Sequence, residues 1–273
     1  MNGKVFVWLA IVFFLTACNK SPNDGIPSYI EISQVELTTN SNQGSNVHLI
    51  SDLWIESEGE YIGNFEYPNV IPALISGNRE IIMNAGIFRN GDYNNREIYP
   101  AYQPFKANFD FVPGDTVIIN PSFAYYNTVL FPLIEDFESG NIFTGTNRTA
   151  LGDSNNIEGR ALHIHLDGIN PSIESITSSP VVIPFGRRVY IEMQFKGSND
   201  FGLGIQALVN GSVSEQGYID AFYSSDWYKI HYDITDVINS LDADGYNFYI
   251  EAIKSDSQSE SDLYLDNFKI VVI

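Results

Sequence analysis

The pair His163 and His165, separated by Ile164, is the first feature of the chain that could do chemistry. Two imidazoles at i and i+2 of a strand share one face and could share a metal ion. One known form of such a site, the cupin type, also needs a glutamate a few residues on, and the next glutamate here, Glu174, lies beyond Pro171. Leu162, Ile164 and Leu166 take the apolar face, so both histidines are expected to point outward as ordinary exposed side chains. Glu135, Asp136 and Glu138 form a carboxylate cluster. A glycosidase needs an acid and a base or nucleophile at a set separation, but acids are so common here that clusters arise by chance. There is no G-x-S-x-G elbow, no cysteine in a nucleophile's setting and no glycine-rich phosphate loop between strand and helix. The chain is therefore expected not to be an enzyme. Aromatic rings are the other candidates, because sugar rings stack on apolar faces through their C–H groups. Tyr218, Phe222 and Tyr223 are expected in a loop before Trp227, and Tyr99, Tyr102 and Phe105 in a proline-rich loop. The first three are taken as ligand-binding residues, while Trp54 and Trp227 are expected in the core.

Cys18 is the one cysteine in 273 residues, so no disulfide accounts for it. Lys4 is the only charge before it, and an apolar run from Val5 to Leu15 follows. A basic start, a short apolar centre and small residues at the end define a secretory signal. The run is shorter than the roughly 20 residues that span a bilayer. Leu15-Thr16-Ala17-Cys18 resembles a bacterial lipobox. That resemblance implies cleavage of residues 1–17, with Cys18 as the lipidated first residue of the mature chain. Asn19 is not the acidic residue that often retains a lipoprotein at the inner membrane, so an outer-membrane location is expected, on either face. The lipid anchor is then the chain's only contact with the membrane.

The formal charge is −20, from 14 Lys and Arg against 34 Asp and Glu. Removing residues 1–17 takes away one lysine and no acid, leaving −21. That charge opposes nucleic-acid binding and adsorption to anionic lipid. It is compatible with neutral ligands and with bound cations.

Residues 18–28 are polar and rich in Pro, Asn and Ser, and read as a tether. Beyond them short alternating or β-branched runs recur between Gly, Asn, Asp and Pro, the pattern of an all-β protein. A first block, 29–131, offers strands at Ile30–Thr38, Val47–Ile55, Tyr61–Tyr67, Glu80–Phe88, Lys106–Phe111 and Thr116–Asn120. Its stretch Asp52–Ile87 resembles immunoglobulin-like or prealbumin-like β-sandwiches. A second block, 132–273, alternates more clearly. Val189, Ile191, Met193 and Phe195 share one face, as do Leu203, Ile205 and Ala207, and Ile230, Tyr232 and Ile234. One face of each strand should pack and the other be partly wet. About eight such strands make a jelly roll. The seam between blocks is placed at Phe131-Pro132.

The second block resembles the jelly rolls of carbohydrate-binding modules and their galactose-binding-like relatives. The resemblance is carried, in order, by IEDFESG (Ile134–Gly140), EGRALHIHL (Glu158–Leu166), RRVYIEMQFKG (Arg187–Gly197), DWYKIHYDIT (Asp226–Thr235) and LYLDNFKIV (Leu263–Val271). It implies a glycan or glycoconjugate as the ligand, although no sugar-contacting aromatic matches a family position. It also implies a structural calcium ion: in a jelly roll the first and last strands lie side by side, so Asp136 and Glu138 can meet Asp266. The sequence reading is thus a non-catalytic glycan-binding lipoprotein. The alternative is a structural or adhesion lipoprotein whose jelly roll contacts another protein.

Overall fold

The computed structural model describes residues 25–273. Cys18, the expected leader 1–17 and most of the expected tether lie outside the described residues. The chain is all β apart from one short helix among them.

The first block contains β1 Ser28–Ile32, β2 Glu36–Thr38, β3 Asp52–Ser57, β4 Glu60–Glu66, β5 Asn69–Ala73, β6 Gly77–Phe88, β7 Arg96–Ile98, β8 Phe105–Phe111, β9 Thr116–Ile118 and β10 Ser122–Ala124. They form three sheets: β4-β3-β6 with β7 and β8 on β6, then β5-β1-β9, and the pair β2-β10. Side chains from all three, among them Ile30, Leu37, Leu53, Ile81 and Phe123, share one core. The expected strand Ile30–Thr38 is broken where Asn120 Oδ1 accepts the N–H groups of Ser33 and Gln34 at 3.3 and 3.1 Å. The expected strand Val47–Ile55 begins only at Asp52. Trp54 is not a core residue as expected. It is only half-buried, with its indole N–H donating to Asp52 Oδ1 at 3.0 Å and its ring against Tyr61.

The second block contains β11 Leu130–Glu135, β12 Asn147–Arg148, β13 Leu162–Leu166, β14 Ser172–Ile176, β15 Val189–Gly197, β16 Phe201–Val209, β17 Ser212–Ala221, β18 Tyr228–Asp233, β19 Gly245–Ile253 and β20 Ser261–Val272, with helix α1 Thr235–Ile238 before β19. Two sheets face each other. One runs β12-β13-β20-β15-β18 and the other β14-β19-β16-β17. Their inner faces make a second core, with Leu162, Ile191, Leu203, Phe248 and Ile270 fully buried. The alternation behind the sequence reading is real: Val189, Ile191, Met193 and Phe195 all face this core. The β16–β17 hairpin turns on Asn210-Gly211, at φ 49° and 77°. An Asn-Gly pair takes positive φ at little cost and matches the strand twist. Strand β11 pairs antiparallel with β20, so the opening and closing strands do run side by side.

Phe131 and Pro132 lie inside β11, where the register shifts between Leu130 and Leu133 because proline cannot donate to a ladder. The blocks meet extensively. Arg89 bridges His231 in parallel, its guanidinium lies 2.8 Å from Asp233, and Tyr190 and Val271 of the second block enter the core of the first.

Candidate functional site

Strand β17 forms the edge of its sheet, and its outward residues are set by pairing. Tyr218 lies opposite Gly204 and Asp220 opposite Gly202 on β16, while β19 brings Tyr249 to Gly204 and Glu251 to Gly202. The glycines allow rings to lie flat on the sheet. A Cβ at 202 would fall 1.8 Å from the Tyr218 hydroxyl, and one at 204 would fall 1.9 Å from Cζ of Tyr249. The two rings stand 6.4 Å apart at 44°. Tyr249 donates to Glu215 Oε2 at 3.1 Å. Burial, then Glu215, pushes the Tyr249 hydroxyl up to about 12, so it remains a neutral donor. Burial, then Glu251, raises Tyr218 as well.

Beyond β17 the chain turns through Phe222 and Tyr223, held by a hydrogen bond from the Tyr223 N–H to Asp200 Oδ1 at 2.8 Å. Tyr218, Phe222 and Tyr223 are 49%, 77% and 60% exposed, large values for aromatic rings. Phe222 and Asp220 form a ridge between two depressions. The smaller, about 240 Å³, holds Tyr218 and Glu251. The larger, about 490 Å³, opens where the edges of the two sheets part, and holds Tyr223, Tyr228 and, from the first block, Gly91 to Tyr93. The three expected binding residues are therefore brought to one surface, although Tyr218 stands within strand β17 and not in the expected loop. Tyr249 and Glu251 were legible in principle, since they alternate with the core residues Phe248 and Ile250. Tyr93 was not, because only the fold carries it 130 residues along the chain to Tyr223.

The other aromatic candidates are not available. Tyr99 and Tyr102 are buried between the blocks, and Phe105 starts a first-block strand. Their proline-rich segment is an interface. Trp227, expected in the core, is half-buried and donates to the Asn155 carbonyl at 2.8 Å.

The expected calcium residues converge where β11 and β13 abut end to end along one side of β20. Asp136, Glu138 and Glu158 line a depression of about 430 Å³ that is closed on one side by Ser41 and Ser45 of the first block. Asp266 is 1% exposed, and its Oδ2 has no hydrogen-bond partner. Burial, then Glu158, Glu138 and Asp136, push its carboxyl up to about 8. Other groups engage these acids: Glu138 Oε1 accepts the Arg160 N–H at 2.6 Å and Asp136 Oδ1 accepts the Glu138 N–H at 3.1 Å. Asp136, Glu138 and Asp266 thus share a region, but their oxygens are not drawn within 4.8 Å of one another as a closed ligand set.

No family model matches the sequence, and no curated protein matches it. Solved structures do overlap the chain. The CBM22-1 xylan-binding domain from Paenibacillus barcinonensis Xyn10C is 16% identical, with a TM-score of 0.35 over 52% of this chain and 94% of that one. The carbohydrate-binding module CBM6cm-2 from Cellvibrio mixtus lichenase 5A, in complex with cellotriose, is 18% identical, with a TM-score of 0.33 over 52% and 97%. The family 11 module of a Clostridium thermocellum cellulosomal cellulase is 14% identical, with a TM-score of 0.35 over 51% and 92%. At these values the overlap is partial, and the function is read from the residues themselves.

Proposed function

We propose that this protein is a non-catalytic lipoprotein of the bacterial cell envelope, anchored in the outer membrane through Cys18, and that its second block binds a polysaccharide or glycoconjugate. The surface around Phe222 carries the reading. Exposed aromatic faces suit the apolar faces of sugar rings, and Asp220 and Glu251 beside them suit hydroxyl groups. Two depressions sharing one ridge suit a ligand of several sugar units better than a single ring. The strong negative charge favours a neutral glycan over a polyanion.

A glycan array probed with the purified protein, followed by affinity gels containing the glycans that bind, tests the claim. Phe222→Ala and Tyr223→Ala should lose retention, because stacked aromatic rings carry much of such affinity. Retention that survives both changes would remove the site. Release of reducing sugar above background would remove the non-catalytic claim. The anchor has its own test: Cys18→Ser should leave the membrane fraction, and unchanged partitioning would refute lipidation.

We further propose that calcium binds among Asp136, Glu138 and Asp266, with Glu158 a fourth oxygen donor. The orphaned Asp266 oxygen and the mutual repulsion of these acids support this, since hard oxygen ligands suit calcium and a cation would relieve the repulsion. Calcium at a hundredfold excess over its dissociation constant should stabilise the protein by about 2.7 kcal/mol. A melting point that ignores both calcium and chelator, with or without Asp266→Ala, would dispose of the idea.

A further inference from the structure

Strands β13 and β20 run antiparallel with His165 opposite Asp262 and His163 opposite Tyr264. This register supplies what the sequence around the histidines lacks, a carboxylate from 97 residues away. Asp262 Oδ1 lies 2.7 Å from His163 Nε2 and 2.9 Å from His165 Nδ1. One ligand atom from each of the three residues lies within 4.8 Å of the others, and no second such His, Cys, Asp or Glu group occurs among the described residues. The His163 ring is stacked on Tyr264, with centroids 4.7 Å and planes 4° apart, which fixes its orientation. His165 is exposed, while His163 and Asp262 are half-buried, so solvent reaches the cluster. Asp167 and Glu260 add negative charge on the His165 side. Lys196, on the same face, is engaged by the Tyr264 ring and by Asn155 Oδ1 at 3.1 Å.

We propose that His163, His165 and Asp262 form a binding site for a divalent transition-metal ion of the zinc class. Two imidazoles and a carboxylate are ligands zinc takes at about 2.0–2.2 Å in tetrahedral geometry, which places neighbouring ligand atoms about 3.3–3.6 Å apart. The contacts at 2.7 and 2.9 Å would open by roughly half an ångström or slightly more, within reach of side-chain rotation at these partly exposed positions. Imidazole nitrogens disfavour calcium, so this site differs in chemistry as well as place from the acidic region at Asp266. Three protein ligands leave a coordination position for water or a ligand oxygen.

The test is calorimetric titration of zinc chloride into the purified, chelator-treated protein, with Cys18→Ser so that the protein is free of the membrane and no cysteine sulfur contributes. One site is expected. Asp262→Asn and His163→Ala should each weaken it at least about tenfold, whereas Glu60→Gln, at an exposed position of β4, should leave it unchanged. Histidine ring-nitrogen spectra give a second readout. Zinc should shift His163 and His165 and spare His48 and His231, the other two of the chain's four histidines. Absence of zinc binding, or binding indifferent to Asp262→Asn and His163→Ala, overturns the proposal.

Discussion

The two sheets of the second block present opposite outer faces, and the two faces have different fates. On the β14-β19-β16-β17 sheet, Tyr218 and Tyr249 lie over Gly202 and Gly204, Asp220 and Glu251 pair with Gly202 from either side, and Tyr218 meets solvent at the rim of a depression. On the other sheet the corresponding positions hold Glu192, Lys229, His231 and Lys269, and the first block lies on top of them. All four are at most 5% exposed. Charge buried this deeply must be matched. Glu192 Oε2 sits 2.6 Å from Lys229 Nζ, and Tyr99 and Tyr125 donate to the same carboxylate at 2.7 and 2.9 Å. Both lysines then reach first-block carbonyls, Lys229 that of Val47 at 2.9 Å and Lys269 that of Gln43 at 2.7 Å. The comparison teaches that a wet-looking strand face can serve recognition between parts of one chain or be left free for a ligand. Partnering tells the two apart. On the covered face the charges are paired across the junction, and on the open face the Tyr218 ring, 49% exposed, remains without a cover.

The largest effect should come from removing the centre of the covered face. Burial alone raises the Glu192 carboxyl, but Lys229, then Lys269 and His231, outweigh it and hold the group well below the usual carboxylate range. Glu192→Leu leaves two ammonium groups and two tyrosine hydroxyls facing an apolar side chain. Removing one partner of a buried pair costs about 3–5 kcal/mol, read as a lower urea midpoint with an unchanged slope. Glu251→Leu on the open face should stay within about 0.5 kcal/mol. Equal effects would erase the distinction between the faces.

Acid should act on the covered face next. His231 is pushed down to about 3, first by burial and then by Lys229, Lys269 and His48, with only Glu192 opposing. Its ring packs edge-on against Tyr99, and its Nε2 has no partner. The folded protein therefore holds His231 neutral, while the unfolded chain takes up the proton near pH 6.5. Stability from this group is full above 6.5 and is lost as pH falls toward 3. Between pH 7 and 5 the loss approaches about 2 kcal/mol. Asp266 titrates with the opposite sign, so the quantity to read is the difference between the unsubstituted protein and His231→Asn. A difference that does not change with pH would mean that the first block leaves this face hydrated.

The sequence and the structure part company at this same covered face. Alternation along Val189–Phe195 and Tyr228–Ile234 identified the inward residues correctly, because period-2 burial is a local property. It also left Glu192, Lys229 and His231 on the face expected to be partly wet, where charged residues usually stand. Nothing local reveals that another block covers them. The aromatic cluster at Tyr218, Phe222 and Tyr223 was legible for a related reason: it lies within six residues of chain. The third member of the His163 and His165 group was not, since Asp262 arrives only through strand pairing. Asp136 and Glu138 could be linked to Asp266 from the expected adjacency of first and last strands, yet Glu158 was missed because it comes from the lead-in to β13, which abuts β11. The strand break at Ser33 depends on Asn120, another partner no local pattern exposes.

The smallest effect on stability should come from the open face, and it is there that the comparison can be sharpened most. Gly202→Ala adds one methyl group to a strand interior. In the backbone this is mildly favourable, since glycine is the costlier residue in a strand. The methyl would collide with the Tyr218 hydroxyl, at 1.8 Å in the present position. That ring is half-exposed and is the free end of a flexible side chain, so it can swing off the sheet. The expected change in unfolding free energy is within about 0.5 kcal/mol. Binding should respond differently, because the ring has left the posture in which its face lines the smaller depression. Gly202→Ala should therefore lose as much retention on a glycan gel as Tyr218→Ala, although every aromatic atom is still present. If Gly202→Ala instead destabilises the protein as Glu192→Leu does, the tyrosine layer is structural. If it binds normally while Tyr218→Ala does not, the tyrosine acts in a swung-out position, and the flat platform seen here is its resting state.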